Sequence, residues 1–221
     1  MARLITGLDA TRVRENADRV RGEIDAAARE AGRDPAGVTL LAAVKYVPLA
    51  ELGTLAEAGL AVVGENRAQD LEAKATSEHG SAFAWHFIGQ LQSRKVAQIL
   101  RHAELVHSVA SDSALEQLAK HGEPHTKVLV QVNVAGEEGK AGVDPEALGP
   151  FIARCRVEVA GLSTMPPAVE DPEENRAHFA ALRGLAGEHR LAQLSMGTSQ
   201  DFAVAVQEGA TIVRVGSELY A

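Results

Sequence analysis

Between residues 9 and 31 the apolar positions return every three or four residues. Val13, Ala17, Val20, Ile24 and Ala28 form one stripe, with charged residues on the rest of the surface. That period predicts an amphipathic helix, and "AGRDPAG" ends it with glycine and proline. Beyond this helix the pattern changes. Short apolar runs alternate with helical-period stretches to the end of the chain. The predicted strands are 38–47, 60–65, 85–89, 105–110, 127–135, 157–164, 191–197 and 211–217. Each but the last is followed by a helical stretch, and several of those begin after Asp, Ser or Pro, as helix starts do. Strands apolar on both faces and rich in Val, Leu and Ala suit a parallel sheet covered on both sides. Eight βα units predict a single (β/α)8 TIM-type barrel with an extra N-terminal helix, one domain over 1–221. An open doubly wound sheet is the competing arrangement, but no G-x-G-x-x-G follows any strand.

Composition narrows the function classes. Hydrophobic residues make up 46 % of the 221 positions and charged residues 24 %, the balance of a chain that buries a real core. A net charge of −8 disfavours nucleic acid as a partner, since phosphate binding needs a basic face. The one cysteine, Cys155, permits no internal disulfide and reads as inert packing at a helix end. No apolar run reaches the ~18 residues of a membrane span, and charges interrupt the apolar residues of the first 20 positions. The expectation is a reduced, cytoplasmic protein with no membrane contact. The eight histidines show no metal-ligand spacing, and "GEEGKAG" (136–142) lacks the Ser or Thr and the glycine offset of a phosphate loop.

One constellation remains. Barrel active sites lie at the C-terminal ends of the strands, and phosphate often sits on the loops after strands 7 and 8. Strand 7 ends in "SMGTSQDF", with Ser195, Gly197, Thr198 and Ser199 ahead of a helix; strand 8 ends in "RVGSELY", with Gly216 and Ser217. Hydroxyls, glycines and free amides at a helix start suit an anion, although they are also common capping residues. In a closed barrel strand 8 lies beside strand 1, where "LLAAVKYVP" places Lys45 after an apolar run. Apolar surroundings favour the neutral amine, which forms Schiff bases with aldehydes. An aldehyde and a phosphate on one small ligand describe pyridoxal 5′-phosphate (PLP). Arg214, two residues before Gly216 on the same strand face, could meet the pyridine nitrogen. A lysine that snorkels to water, and an arginine paired within the barrel, are the plainer readings of the same positions.

These segments, in this order, resemble the PLP homeostasis protein family, whose fold is like the N-terminal barrel of alanine racemase. "AAVKYVP", "VGENRAQDLEAK", "WHFIGQLQSRKV", "VLVQVNVAGEEGKAG", "GLSTMPP", "LSMGTSQDF" and "IVRVGS" carry the resemblance almost end to end. It implies that Lys45 holds the cofactor, that Ser195 to Ser199 with Gly216 and Ser217 hold its phosphate, that Arg214 lies near its ring and that Asn66 faces the cofactor. It leaves His86 and Gln90 without a role. The family usually has serine where Val44 stands and a second methionine where Thr198 stands.

The resemblance implies a protein that carries PLP as a Schiff base and takes part in balancing B6 vitamers and amino acids, without robust catalysis. PLP is the expected partner, amino acids are possible further ligands, and the expected state is a monomer. Two other functions stay open: a PLP-dependent amino-acid racemase, and a barrel aldolase using Lys45 directly on a sugar phosphate. Racemisation needs proton exchange on both faces of the substrate carbon. In the racemase the second group is a tyrosine from a C-terminal β domain. This sequence stops at Ala221, and its only tyrosines, Tyr46 and Tyr220, have no evident route to the far face.

Overall fold

The eight predicted strands all form and close on themselves. A computed structural model describes residues 4–221. β1 (Thr39–Ala43), β2 (Val62–Glu65), β3 (Ala84–Phe87), β4 (Leu105–Val109), β5 (Lys127–Gln131), β6 (Glu158–Ser163), β7 (Gln193–Thr198) and β8 (Ile212–Val215) pair in sequence order. Every pairing is parallel, and β8 closes the barrel against β1 with Leu41 opposite Arg214. The order is forced by the short connections: each strand returns through one helix and lands beside the strand before it.

The helices are α1 (Ala10–Glu30), α2 (Leu52–Glu57), α3 (Ala68–Ala75), α4 (Val96–Leu100), α5 (Asp112–His121), α6 (Leu148–Arg154), α7 (Arg176–Glu188) and α8 (Phe202–Gln207). β8 is followed only by a 3-10 turn, Ser217–Leu219. α1 supplies what is missing there. It packs against α8, α2 and that turn, so the extra N-terminal helix occupies the place in the outer ring where an eighth βα helix would lie. Its predicted stripe Val13, Ala17, Val20, Ile24 and Ala28 is fully buried. Asp9 caps it by accepting from the Arg12 N–H, and Asn16 Nδ2 donates to the carbonyls of Leu219 and Ala221, holding the tail beneath it.

Two hydrophobic clusters divide along the strands' two-residue period. Ala42, Val63, Val106, Val128, Val213 and Val215 join the large core between barrel and helices. Leu41, Leu105, Leu129 and Ile212 form a separate small cluster inside the barrel. His86, His107, Ser195 and Arg214 share the inward period, which puts buried polar groups inside the barrel.

Two predicted strands are too long. β1 was expected to run to residue 47 but ends at Ala43. Lys45 and Tyr46 lie in a turn closed by the Val47 N–H donating to the Val44 carbonyl at 3.0 Å. Pro48, with no N–H to offer a ladder, stands just beyond. β5 was expected to run to 135 but ends at Gln131; Val132 makes an isolated bridge to Val143, and the "GEEGKAG" loop lies between.

Candidate functional site

A cleft of about 440 Å³ opens at the C-terminal ends of the strands. That lies within the ~300–1,000 Å³ of small-molecule sites. Lys45, Asn66, Thr198, Ser199, Arg214, Gly216 and Ser217 all line it. Seven of the nine expected site residues therefore converge, from the ends of four strands, β1, β2, β7 and β8.

Lys45 is exposed in this cleft, so the apolar enclosure expected from "LLAAV" is absent. The strand ends two residues earlier, and the turn lifts the side chain clear of the barrel. Its ammonium lies 5.1 Å from the centre of the Tyr46 ring, a cation–π distance. The backbone beneath it is pinned from the other side. Lys74, buried in α3, donates to the Val44 carbonyl at 2.8 Å and pairs with the fully buried Glu65. Glu65 in turn accepts from the Asn66 N–H at 2.8 Å. One buried ion pair thus fixes the chain on both sides of the cleft, next to Lys45 and at Asn66.

The loops after β7 and β8 meet through one bond: the Gly216 N–H donates to Ser199 Oγ at 3.1 Å. Ser199, Gly216 and Ser217 form a shallow cup beside Ala43. Gly216 has an ordinary negative φ, and a Cβ there would meet the protein no closer than 3.5 Å. Protein packing does not require this glycine, so the space above it is left for a ligand. Gly197 is the opposite case. Its φ is +89°, and a Cβ would lie 2.6 Å from that of Ala205. It shapes the turn and does not line the cleft.

Two details differ from the sequence reading. The Thr198 N–H and hydroxyl are both taken by the buried Asp201 carboxylate, at 2.7 and 3.0 Å. α8 has only six residues, so hydroxyls and loop amides, not a helix terminus, offer donors to an anion. Ser195 is wholly buried and does not line the cleft. It lies behind Arg214 and contacts that side chain.

Arg214 is 8 % exposed and held by four acceptors. Nη1 donates to the Ser195 carbonyl at 2.8 Å and to Ser195 Oγ; Nη2 donates to the Thr164 carbonyl at 2.8 Å and to Met165 Sδ at 2.9 Å. A guanidinium has five N–H groups. Those four contacts leave the Nε–H, on a side chain that lines the cleft. Desolvation lowers the Arg214 pKa to about 10, opposed by the Asp201 carboxylate, so it stays a cation at neutral pH.

Tyr220 was missed by the sequence reading. It follows the last strand, where no periodicity marks it. Its ring lines the cleft, and its hydroxyl is buried without a hydrogen-bond partner among the described residues. Burial, and then the charge of Glu65, hold the phenol in its neutral form by raising its pKa. Tyr46 lines the same cleft. Both tyrosines therefore reach the site, contrary to expectation. Gln90 is exposed in a separate hollow with Arg67 and Arg94, while His86 faces into the barrel. Cys155 ends α6, half-buried, with its thiol pKa raised by burial. Among the described residues no cluster of His, Cys, Asp or Glu is arranged to hold a metal, and no helix is long and apolar enough to cross a membrane.

The family profile described as alanine racemase, N-terminal domain, matches residues 14–221. A pyridoxal phosphate homeostasis protein of Aquifex aeolicus is 39 % identical over 219 residues, covering 93 % of this chain and 96 % of the relative. A protein of Bifidobacterium adolescentis, described as unknown, superposes with a TM-score of 0.85 at 31 % identity, covering 99 % of this chain and 98 % of its own. PipY of Synechococcus elongatus, solved with PLP bound, superposes with a TM-score of 0.79 at 32 % identity, covering 95 % of this chain and all of its own. The chain belongs to the alanine racemase N-terminal domain family and, within it, to the pyridoxal phosphate homeostasis proteins.

Proposed function

We propose that this protein binds PLP through Lys45 and serves the balance of B6 vitamers and amino acids, without robust catalysis. One observation carries the reading. A single cleft brings together a primary amine on Lys45, a hydroxyl-lined cup at Ser199, Gly216 and Ser217, and the one uncommitted N–H of Arg214. The three match an aldehyde, a phosphate and a ring nitrogen. Lys45 would hold PLP through its aldehyde carbon, with loss of one water. Ser199 and Ser217 offer hydroxyls to the phosphate. Arg214 can only donate, so it accepts no proton and gives none to the ring nitrogen. PLP supplies an electron sink when its ring is protonated, and a donor-only partner weakens that sink. PipY, similar over 95 % of this chain, is solved with PLP bound. We read the chain as a single-domain cytoplasmic monomer to which amino acids have access as second ligands.

The test is spectroscopic and chemical. Protein loaded with PLP should show a visible absorption band that borohydride removes. Mass spectrometry should then find the reduced adduct on the peptide containing Lys45. An adduct on Lys74, Lys95 or Lys127, or none, would falsify the assignment. A colourless protein that reacts with a sugar phosphate through Lys45 would mean a cofactor-free aldolase.

The presence of Tyr220 among the residues that line the cleft favours examining a second reading, a PLP-dependent racemase. Against it stands Arg214, which withholds a ring proton. Incubation of the PLP-loaded protein with L-alanine should give no D-alanine at an enzymatic rate, for which the median is about 10 s⁻¹. D-alanine formed at such a rate, and lost in Lys45→Ala, would establish the racemase.

A further inference from the structure

We propose that His107, with His86 behind it, is a positioning residue for Arg214, acting through Ser195 in a hydrogen-bond chain of one fixed direction. The chain runs through the barrel. Arg214 Nη1 contacts Ser195 Oγ; Ser195 Oγ lies 2.8 Å from His107 Nδ1; His107 Nε2 lies 3.0 Å from His86 Nδ1. Every member is at most 9 % exposed, and Ser195 is completely buried.

The direction follows from what each group can do. Arginine only donates, so Ser195 Oγ accepts from it. The serine hydroxyl proton then needs an acceptor, and His107 Nδ1 is the one other partner it has. His107 must therefore be neutral, with its proton on Nε2. That N–H donates to His86 Nδ1, which makes His86 neutral with its proton on Nε2 as well. The reverse direction would give Ser195 Oγ two donors and bury its own proton unpaired, at a cost of about 1–3 kcal/mol. No atom of Arg214, Ser195 or His107 is left buried and unpartnered. Desolvation favours the neutral rings, lowering His86 to about 4 and holding His107 well below the usual range. Ser163 Oγ donates to the His107 carbonyl, so the backbone is held as well as the ring.

The chain surfaces at the opposite mouth. His86 lines a cavity of about 460 Å³ at the N-terminal ends of the strands, together with Gln193, whose Oε1 has no partner. Within the barrel, this chain commits the hydroxyl proton of Ser195 and one of its lone pairs. Nη1 is thereby locked, which leaves the Nε–H as the one guanidinium N–H of Arg214 without a partner. The significance for the ring nitrogen rests on the proposed function; the direction of the chain does not.

Nitrogen-15 NMR of the wild-type protein without PLP tests the direction. At neutral pH both His86 and His107 should show the neutral tautomer with the proton on Nε2. A proton on His107 Nδ1, or a charged ring, overturns the proposal without any variant. The positioning role is read from the Arg214 Nε–H resonance, assigned by its loss in Arg214→Lys. It should be a single resolved line, at one chemical shift, in the wild type. It should broaden in His107→Phe, which leaves the serine proton unpaired, and recover in His107→Asn, whose Oδ1 replaces Nδ1 as acceptor. An unchanged resonance in His107→Phe, or no recovery in His107→Asn, overturns the positioning role. PLP affinity should fall about tenfold in His107→Phe, equivalent to ~1.4 kcal/mol, and return in His107→Asn. If the wild type binds no PLP, the proposed function fails while the NMR still decides the chain.

Discussion

Tyr220 at the cleft and Lys74 beneath it are two residues whose places the sequence hid. Neither is marked by local pattern, because each matters through a partner distant in the chain or in an unpatterned tail. Lys74 reads as one more charge on α3, yet it is buried against Glu65, nine positions earlier on the outward face of β2. Replacing it by methionine would leave the Glu65 carboxylate buried and unpaired. Lys74→Met should therefore lose about 3–5 kcal/mol in chemical denaturation, the usual cost of breaking a buried pair from one side. A loss under ~1 kcal/mol would mean that water reaches Glu65. Tyr220 carries the opposite expectation. Its hydroxyl is already unpartnered, so Tyr220→Phe removes an unsatisfied group. The variant without PLP should melt at the same temperature as the wild type or higher. If the hydroxyl reaches a bound ligand, the stabilisation on adding PLP should be smaller in Tyr220→Phe than in the wild type. Lys45, Asn66, Ser199, Arg214, Gly216 and Ser217 were legible because barrel sites gather at strand ends. Ser195 was misplaced because "SMGTS" cannot reveal which serine faces out and which lies behind an arginine.

The elements themselves were read well, and for a physical reason. Parallel strands covered on both faces need unbroken apolar runs, and the runs of Val, Leu and Ala at all eight positions do form strands. What failed was the ends. β1 and β5 were drawn too long because "KYV" and "VNVA" continue the apolar composition while the backbone already turns. That error concealed the exposure of Lys45. Within the loops after β7 and β8, two glycines look alike in sequence and differ in kind. Gly197→Ala should destabilise the fold, since both its positive φ and its contact with Ala205 oppose a side chain. Gly216→Ala should fold normally and weaken PLP by filling the cup. Thermal melting separates the first and titration with PLP the second; a folding defect in Gly216→Ala would make it a structural glycine too. Ser199→Ala should weaken PLP by roughly 1–3 kcal/mol, the scale of a hydrogen bond to a charged group. Pyridoxal, with no phosphate, should weaken less. Equal losses for both ligands would place the effect on the Gly216 N–H that Ser199 accepts, and so on the fold.

At the scale of the whole molecule, the polar interior of the barrel makes stability depend on pH. His86 and His107 are held neutral by burial, His86 with its pKa lowered to about 4 and His107 with its pKa lowered well below the ordinary histidine value. In the unfolded chain both return to the ordinary histidine value near ~6.5. Between those values the unfolded chain binds protons that the folded protein refuses. The slope of unfolding free energy with pH is then positive, so stability is complete above the unfolded pKa and is lost as pH falls. Between about pH 7 and about pH 5 His86 should remove roughly 2 kcal/mol, and His107 adds to the loss in the same direction. The window lies above the carboxylate range. Glu72 and Glu173, lowered from 4.5 by hydrogen bonds from Gln98 and Arg176, titrate below it and do not mimic the effect. The other described groups around His86 at its cavity are Glu104 and Lys127, both exposed to solvent. Urea denaturation at the two pH values measures the difference directly. His107→Asn replaces a titrating ring with an amide that takes no proton, so its slope should be shallower by about one proton. A slope unchanged by that substitution would mean that the acid sensitivity arises elsewhere and that the buried histidines already exchange protons in the folded barrel.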